Sequence, residues 1–181
     1  GTTWLFDNLR RHPEIWTPPL KSVQYFSGRA NRKRYKKLIR ECPRVLRPSS
    51  LKEAAWFCRY FLTPIVSERW YGRLFPKVEG KIAGEFAPAY TACGLDEVKR
   101  IGQIKPNLKV IFFMRNPVER AWSHEVLGLA KNKNRRVEDV SDEEFIEALS
   151  TDLSIYKTTY TRTLSNWRSV FPEERMFIRF F

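Results

Sequence analysis

The segment Leu108–Lys131, LKVIFFMRNPVERAWSHEVLGLAK, constrains the fold of this chain more than any other stretch. Its apolar run Val110–Met114 shows no alternation, which is typical of a parallel strand buried on both faces. A helical pattern begins directly after Arg115. Asn116 suits the N-cap, Pro117 suits the first helical position, and the glutamate three residues after the cap completes a capping box. The segment therefore predicts a buried strand that turns directly into a helix.

This strand-to-helix turn is a candidate anion-binding site. Such turns lie at the carboxyl edge of a parallel sheet, where α/β proteins bind their ligands. The free N–H groups and the dipole of the helix attract an anion there. Arg115 stands at the strand end and Ser123 lies about two helical turns beyond Asn116. A guanidinium and a hydroxyl converging on this turn suit a phosphate, although the spacing alone fits an ordinary crossover with a surface arginine equally well.

The residues from Arg115 to Ser123, RNPVERAWS, resemble the 3′-phosphate-binding segment of sulfotransferases that use 3′-phosphoadenosine 5′-phosphosulfate (PAPS). In the heparan-sulfate-type and bacterial branch of that family, an Arg-(Asn/Asp)-Pro-x-x-Arg-Ala-x-Ser run recurs. The resemblance implies that Arg115 and Ser123 bind the 3′-phosphate. Tyr160, in a helix predicted over Tyr156–Phe171, is implied as a further cofactor-binding residue.

This resemblance implies an α/β fold, with a P-loop-like parallel sheet of about four or five strands flanked by helices. It implies one sulfotransferase domain over residues 1–181 that continues beyond both ends of the sequence. The expected reaction moves the sulfuryl group of PAPS to a hydroxyl or amine of an acceptor, either a carbohydrate or a small molecule. No metal is expected, because the three cysteines and two histidines lack zinc-ligand spacing.

The first residues of the chain form a second candidate phosphate cradle. A glycine followed by two hydroxyl residues before a short helix offers several donors to a phosphate, and a simple threonine N-cap explains the pattern equally well. The sequence GTTWL resembles the 5′-phosphosulfate loop of the same family, Lys-x-Gly-Thr-Thr-x-Leu after a strand. The resemblance implies that Gly1, Thr2, Thr3 and Trp4 bind the cofactor. The strand and lysine of that pattern would precede residue 1.

The segment Pro18–Phe26, PPLKSVQYF, is predicted as a short strand followed by a loop. It resembles the family's Pro-Pro-x-Lys-Glu-x-His-Tyr-Phe segment, which borders the acceptor site, and this implies substrate-binding roles for Lys21, Ser22 and Gln24. Ser22 stands where the family usually carries a glutamate general base, and Gln24 stands where it carries histidine. Neither side chain has a pKa suited to removing a proton near neutral pH.

Gly80–Tyr90, GKIAGEFAPAY, is predicted as a strand that enters a loop. It resembles the family's Gly-Glu-x-x-Pro-Ala-Tyr segment, which lies beside the acceptor site, and this implies a substrate-binding role for Tyr90. Glu85 is thereby the carboxylate placed near the chemistry and the candidate general base. A structural glutamate that orients a neighbouring lysine or arginine explains the segment equally well.

The formal net charge of +13 over 181 residues indicates anionic partners. Nucleotide, acidic glycan, nucleic acid and anionic membrane all qualify by charge. Arg29–Lys52 carries ten of the lysines and arginines. A solvated basic helix is the favoured interpretation of that segment, and an anion-binding face for an acidic glycan is the alternative. Nucleic acid is disfavoured, because a single basic run with few aromatic residues is weak support for it.

A non-catalytic relative that keeps the nucleotide site is the rival interpretation, favoured by Ser22, by Gln24 and by the lysine of the phosphosulfate pattern that this sequence does not contain. No apolar run approaches the length of about 20 residues that a membrane span requires. The sequence does not identify the compartment; a cytoplasmic location is favoured, with the Golgi lumen as the alternative if an anchor precedes residue 1. Two largely aromatic sets at helical spacing are predicted as core, and the lining of an acceptor cleft is the alternative for some of their members. They consist of Trp56, Phe57, Tyr60 and Phe61, and of Val66, Trp70, Tyr71 and Leu74.

Overall fold

The structure, a computed structural model, describes residues 1–27, 47–63, 65–76, 79–133 and 136–180. The chain divides into two compact units, Gly1–Tyr90 and Thr91–Phe181. Most of the predicted basic helix at Arg29–Lys52 lies outside the described residues.

The first unit contains helices and one short parallel strand pair among its described residues. Ile15 lies opposite Ile82, and Trp16 lies opposite Ala83. Serine side chains begin two of the helices, since Ser50 and Ser67 each accept a hydrogen bond from a backbone N–H in the first turn. In chain order the elements are α1 (Thr2–Leu9), β1 (Ile15–Trp16), α2 (Leu51–Leu62), α3 (Glu68–Arg73), β2 (Ile82–Ala83) and a 3₁₀ helix (Pro88–Ala92).

The strand predicted within Pro18–Phe26 is wrong, because β1 ends at Trp16 and the chain from 17 to 26 is irregular. Proline lacks the N–H group that a ladder requires, and two prolines stand at the start of this segment. Ser22 and Gln24 have φ angles of 65° and 62°, in the left-handed region. That backbone conformation is incompatible with an extended strand.

Aromatic side chains of α2 and α3 form the core of the first unit, as their helical spacing predicts. Trp56 stacks on Tyr60 with ring centroids 5.1 Å apart. The indole N–H of Trp56 donates to the carbonyl of Leu74 at 2.9 Å, and that of Trp70 donates to the carbonyl of Arg59 at 2.9 Å. These bonds satisfy the polar atom of each buried ring. The buried members of the two predicted sets are Trp56, Phe57, Tyr60, Phe61, Trp70 and Leu74.

The second unit places helices around a longer parallel pair, in which Val110 lies opposite Met176 and Met114 opposite Phe180. The predicted α/β class with parallel strands and flanking helices is confirmed. Within the described residues, however, the strands form two separate pairs, where one sheet of four or five strands was expected. The elements are α4 (Leu95–Ile104), β3 (Val110–Met114), α5 (Pro117–Lys133), a 3₁₀ helix (Val137–Asp139), α6 (Asp142–Leu149), α7 (Asp152–Thr158), α8 (Tyr160–Arg168), a 3₁₀ helix (Glu173–Arg175) and β4 (Met176–Phe180).

The prediction that Val110–Met114 is buried on both faces is wrong. Burial alternates along β3, so that Phe112 is 8% exposed while Ile111 is 51% and Phe113 is 36% exposed. Trp167 of α8 packs edge-on against Phe112, with ring centroids 5.5 Å apart, and covers the buried face. Successive side chains of a strand point to opposite faces, so the continuous apolar run does not ensure that both faces are covered.

The helix predicted over Tyr156–Phe171 is interrupted at Thr159, whose ψ angle of 81° is not helical. The hydroxyls of Thr158 and Thr159 donate to the carbonyls four residues earlier. Such local hydrogen bonds compete with regular helical bonding and favour a bend or an end. By contrast, Ser141 forms the predicted capping box at the start of α6.

Gly102 of α4 packs tightly against the segment that follows α8. A Cβ atom at Gly102 would lie 2.5 Å from Cγ1 of Val170, whose branched side chain has little freedom to move away. We therefore expect Gly102→Ala to lower the free energy of unfolding by about 1–3 kcal/mol, measured by urea denaturation. Gly72→Ala in α3 is the matched control, because a Cβ there meets nothing within 4 Å. An unchanged stability of Gly102→Ala would contradict this packing.

Candidate functional site

The start of α1 brings together a helix N-terminus, two hydroxyls and an ammonium group. Nζ of Lys21 donates to Oγ1 of Thr2 at 3.0 Å and to Oγ1 of Thr3 at 2.7 Å. Gly1 is the N-cap of α1, and because glycine has no side chain it cannot accept a hydrogen bond from the first N–H groups of the helix through one. Because each threonine oxygen accepts from Lys21, each hydroxyl proton stays available to donate to a ligand. These donors together form a site that suits an anion.

The predicted cofactor-binding residues Gly1, Thr2, Thr3 and Trp4 all lie at this helix start, and Trp4 is 68% exposed. Lys21 was predicted as a substrate-binding residue, and in the structure its ammonium group donates to the two threonines. Partial burial lowers the pKa of Lys21, and the carboxylate of Asp7 opposes this shift. The charge on Lys21 is therefore poorly solvated, and an anion bound beside it would stabilise the charged form.

The turn that follows Lys21 carries Ser22 and Gln24. Hydrogen bonds to the segment just after β2 hold this turn in place. The hydroxyl of Ser22 donates to the carbonyl of Phe86 at 2.7 Å. The backbone N–H of Gln24 donates to Oε1 of Glu85 at 2.9 Å. Both Ser22 and Gln24 have left-handed φ angles, which are uncommon for residues other than glycine.

Glu85 occupies a cluster of hydrogen-bond donors. Besides the N–H of Gln24, its carboxylate accepts from the hydroxyl of Tyr71 at 2.7 Å and from that of Tyr90 at 3.0 Å. Burial, followed by the charge of Glu85, raises the pKa of Tyr71 and of Tyr90. Both phenols therefore stay protonated and keep donating across the ordinary pH range. The carboxylate thus joins three segments of the first unit.

Arg115 stands at the end of β3, as predicted, and its Nε donates to Glu119 at 2.9 Å. Asn116 is the N-cap, because its Oδ1 accepts from the N–H of Val118 at 2.9 Å. The carboxylate of Glu119 thus serves an ion pair with Arg115, where a capping box was predicted. The side chain of Arg115 is 40% exposed. Among the described residues, its two terminal nitrogens donate to no protein group, so they can bind an anion.

Ser123 is half-buried on α5, and Tyr160 is half-buried at the start of α8. No hydrogen bond between described residues joins either side chain to Arg115.

Arg120 links α5 to α7, since its Nη2 donates to Oγ1 of Thr158 at 2.6 Å and lies 3.4 Å from the carbonyl of Ser154. Burial lowers the pKa of Arg120, and the nearby Tyr160 opposes that shift. The arginine between Arg115 and Ser123 in the motif therefore anchors the helix that carries Ser123.

Two features of the site were not found from the sequence, namely the contact of Lys21 with the threonines and the polar contact of Tyr71. The contact of Lys21 with Thr2 and Thr3 joins positions 18 and 19 residues apart, and no periodicity relates them. Tyr71 belongs to a helical aromatic set and was predicted as core, whereas its hydroxyl donates to Glu85. The sequence signal that could have indicated this contact is a tyrosine within an otherwise apolar set, because a tyrosine hydroxyl requires a hydrogen-bond partner when it is buried.

Within the described residues, no group of three or more histidine, cysteine, aspartate or glutamate side chains could hold a metal ion. In that same part of the chain, no helix is long and apolar enough to cross a membrane. Cys58 and Cys93 are free thiols.

Comparison with known proteins identifies a family and solved structures of similar fold. The sequence model of a family described as "Sulfotransferase family" matches residues 1–180. The crystal structure of a sulfotransferase from Alicyclobacillus acidocaldarius is similar, with a TM-score of 0.60 and 23% sequence identity. The match covers 99% of this chain and 68% of that one. No curated protein sequence matches the chain.

The environment of Lys21 predicts a measurable titration. Because burial disfavours the ammonium form, we expect Lys21 to lose its proton below the ordinary pKa of 10.5, as followed by NMR of labelled lysine side chains. The carboxylate of Asp7 stabilises the ammonium form, so Asp7→Asn should lower the titration midpoint further. Lys21→Arg identifies the signal by removing it. A midpoint at or above 10.5 in the unsubstituted protein would contradict the described environment.

Proposed function

Because the chain belongs to the sulfotransferase family, we propose that it transfers the sulfuryl group of PAPS to a hydroxyl or amine of an acceptor. The observation that carries the proposal is the placement of Lys21 on the hydroxyls of Thr2 and Thr3. An ammonium group, two hydroxyls and the N–H groups of a helix start are the donors that a phosphosulfate requires. We therefore assign Lys21 to the phosphosulfate, although the sequence pattern suggested the acceptor.

In the proposed reaction, the acceptor oxygen or nitrogen attacks the sulfur atom as the bond between sulfur and the 5′-phosphate oxygen breaks. The acceptor loses its proton to a base, and adenosine 3′,5′-bisphosphate leaves with the bonding electrons. Negative charge develops on the leaving phosphate oxygen. Lys21 and the two threonine hydroxyls would stabilise that charge, because fixed donors aimed at developing charge lower the barrier. This mechanism needs no metal.

We propose that Arg115 and Ser123 bind the 3′-phosphate of the nucleotide. Nε of Arg115 is held by Glu119, which fixes the guanidinium and leaves its two terminal nitrogens for bidentate contact with phosphate oxygens. Ser123 would add one neutral donor from α5. Tyr160 is proposed as a further nucleotide contact on the family resemblance. A 3′-phosphate site of this kind would select PAPS over nucleotides that lack that group.

The acceptor is proposed to be a carbohydrate or a small molecule. The net charge of +13, with ten basic residues in Arg29–Lys52, supports an acidic acceptor such as a sulfated or carboxylated glycan. The rival is a relative that binds the nucleotide without turnover. Ser22 favours that rival, because its hydroxyl stands in place of the usual base and donates to the carbonyl of Phe86.

Arg115→Ala should weaken binding of adenosine 3′,5′-bisphosphate by roughly 1.5–3 kcal/mol, because it removes a charge-assisted contact. Ser123→Ala should cost about 0.5–1.5 kcal/mol, as a single neutral donor does. Isothermal titration calorimetry measures both. Arg168→Ala is the matched control and should leave binding unchanged, since Arg168 is likewise part-exposed and pairs through Nε with a glutamate, Glu173, at 2.9 Å.

The same titration with adenosine 5′-phosphate tests which phosphate of the nucleotide Arg115 binds. This ligand lacks the 3′-phosphate, so it should bind much more weakly than the bisphosphate, and Arg115→Ala should not weaken it further. Equal affinities of the unsubstituted protein for the two ligands would refute the proposed 3′-phosphate site. Unchanged bisphosphate affinity in Arg115→Ala would exclude Arg115 from it.

A further inference from the structure

We propose that Glu85 is a positioning residue, whose carboxylate holds the backbone at Gln24 in its left-handed conformation and so sets the turn that carries Ser22 and Gln24. The inference rests on the proposed function for the catalytic meaning of that turn. It assigns to Glu85 a role other than that of the general base.

The hydrogen bonds of Glu85 show how the turn is held. Oε1 accepts the backbone N–H of Gln24 at 2.9 Å, and Oε2 accepts the hydroxyl of Tyr71 at 2.7 Å. The hydroxyl of Tyr90 lies 3.2 Å from Oε1 and 3.0 Å from Oε2. Tyr71 is on α3 and Tyr90 is in a 3₁₀ helix, so two regular elements fix the carboxylate that in turn fixes the loop. The side chain of Glu85 cannot turn away without losing charge-assisted bonds.

The backbone of the turn requires such a constraint. Ser22 and Gln24 have φ angles of 65° and 62°, and a left-handed backbone carries a free-energy cost for residues that have a Cβ atom. Such conformations persist when the surroundings determine them, and they concentrate at functional sites. The bond from Ser22 to the carbonyl of Phe86 and the bond from Gln24 to Glu85 fix this turn at two points. Phe86 is the neighbour of Glu85, so both points lie in one short segment.

The same contacts argue against Glu85 as the base. Both carboxylate oxygens already accept hydrogen bonds from three donors, which occupy most of the lone-pair sites of the carboxylate and stabilise its charged form, so its affinity for a proton from the acceptor is lowered. Tyr25 stacks on Tyr71 with ring centroids 5.0 Å apart, and Phe26 packs edge-on against Tyr90 at 5.8 Å. These rings enclose the donors of Glu85 within aromatic packing. The carboxylate is thus built into the support of the turn.

A double-mutant cycle between Glu85→Gln and Gln24→Gly separates the two roles. Glycine adopts the left-handed conformation without strain, so it removes the need for the anchor while it leaves any base untouched. In the positioning account, Glu85→Gln lowers kcat by about 10–100-fold in the unsubstituted protein. In the Gln24→Gly background, the same substitution lowers kcat by no more than about 3-fold. Glu79→Gln, at an exposed glutamate of the same unit, is the matched control.

The free energy of unfolding, measured on the same four proteins, provides a second readout that needs no activity. Glu85→Gln should destabilise the unsubstituted protein and have a smaller effect when residue 24 is glycine. Tyr71→Phe should reproduce part of this effect, because it removes one of the donors that hold the carboxylate. Bisphosphate affinity should stay unchanged in all four proteins.

Each outcome of the cycle decides one claim. Equal losses of kcat upon Glu85→Gln in both backgrounds would overturn the inference and favour a general base. Equal losses of stability in both backgrounds would overturn the anchor itself. If the unsubstituted protein transfers no sulfate while the unfolding cycle shows coupling, the anchor is supported and the proposed function fails.

Discussion

The proposed phosphosulfate site depends on one interaction, the contact of the Lys21 ammonium group with the hydroxyls of Thr2 and Thr3. It converts an ordinary helix start into a cluster of cationic and neutral donors. Partial burial makes the charge of Lys21 costly in the free protein, as its lowered pKa indicates. A bound anion relieves that cost, so the site is poised for a negatively charged ligand. Because the chain belongs to the sulfotransferase family, we propose that this ligand is the sulfuryl donor.

The proposed acceptor side depends on a different kind of constraint. There the Glu85 carboxylate, two tyrosine hydroxyls and one backbone N–H hold a turn in a conformation that its own residues disfavour. Cationic donors suit a site that must bind charge, whereas a fixed turn suits a site that must aim a nucleophile. Lys21 is adjacent to that turn in the chain, so one short segment serves both needs.

Local rules predicted the local elements well. Asn116 and Pro117 marked the start of α5, Ser141 marked the start of α6, and helical spacing identified the aromatic core of the first unit. The α/β class followed from the motif resemblance. The predictions that were wrong concern features that depend on tertiary contacts or on competition between local hydrogen bonds. Ile111 is exposed although its strand is wholly apolar, and threonine hydroxyls end α7 where periodicity continues. Equally, no local rule could bring Lys21 to Thr2, because chain topology determines that contact.

The central claim is that this chain transfers a sulfuryl group from PAPS. The most direct test is a single-turnover assay with ³⁵S-labelled PAPS and a panel of acidic glycans, neutral sugars and small phenols and amines. We expect label in at least one acceptor, with one adenosine 3′,5′-bisphosphate formed for each group transferred. Tight binding of the bisphosphate without label in any acceptor would contradict that claim and establish the non-catalytic alternative.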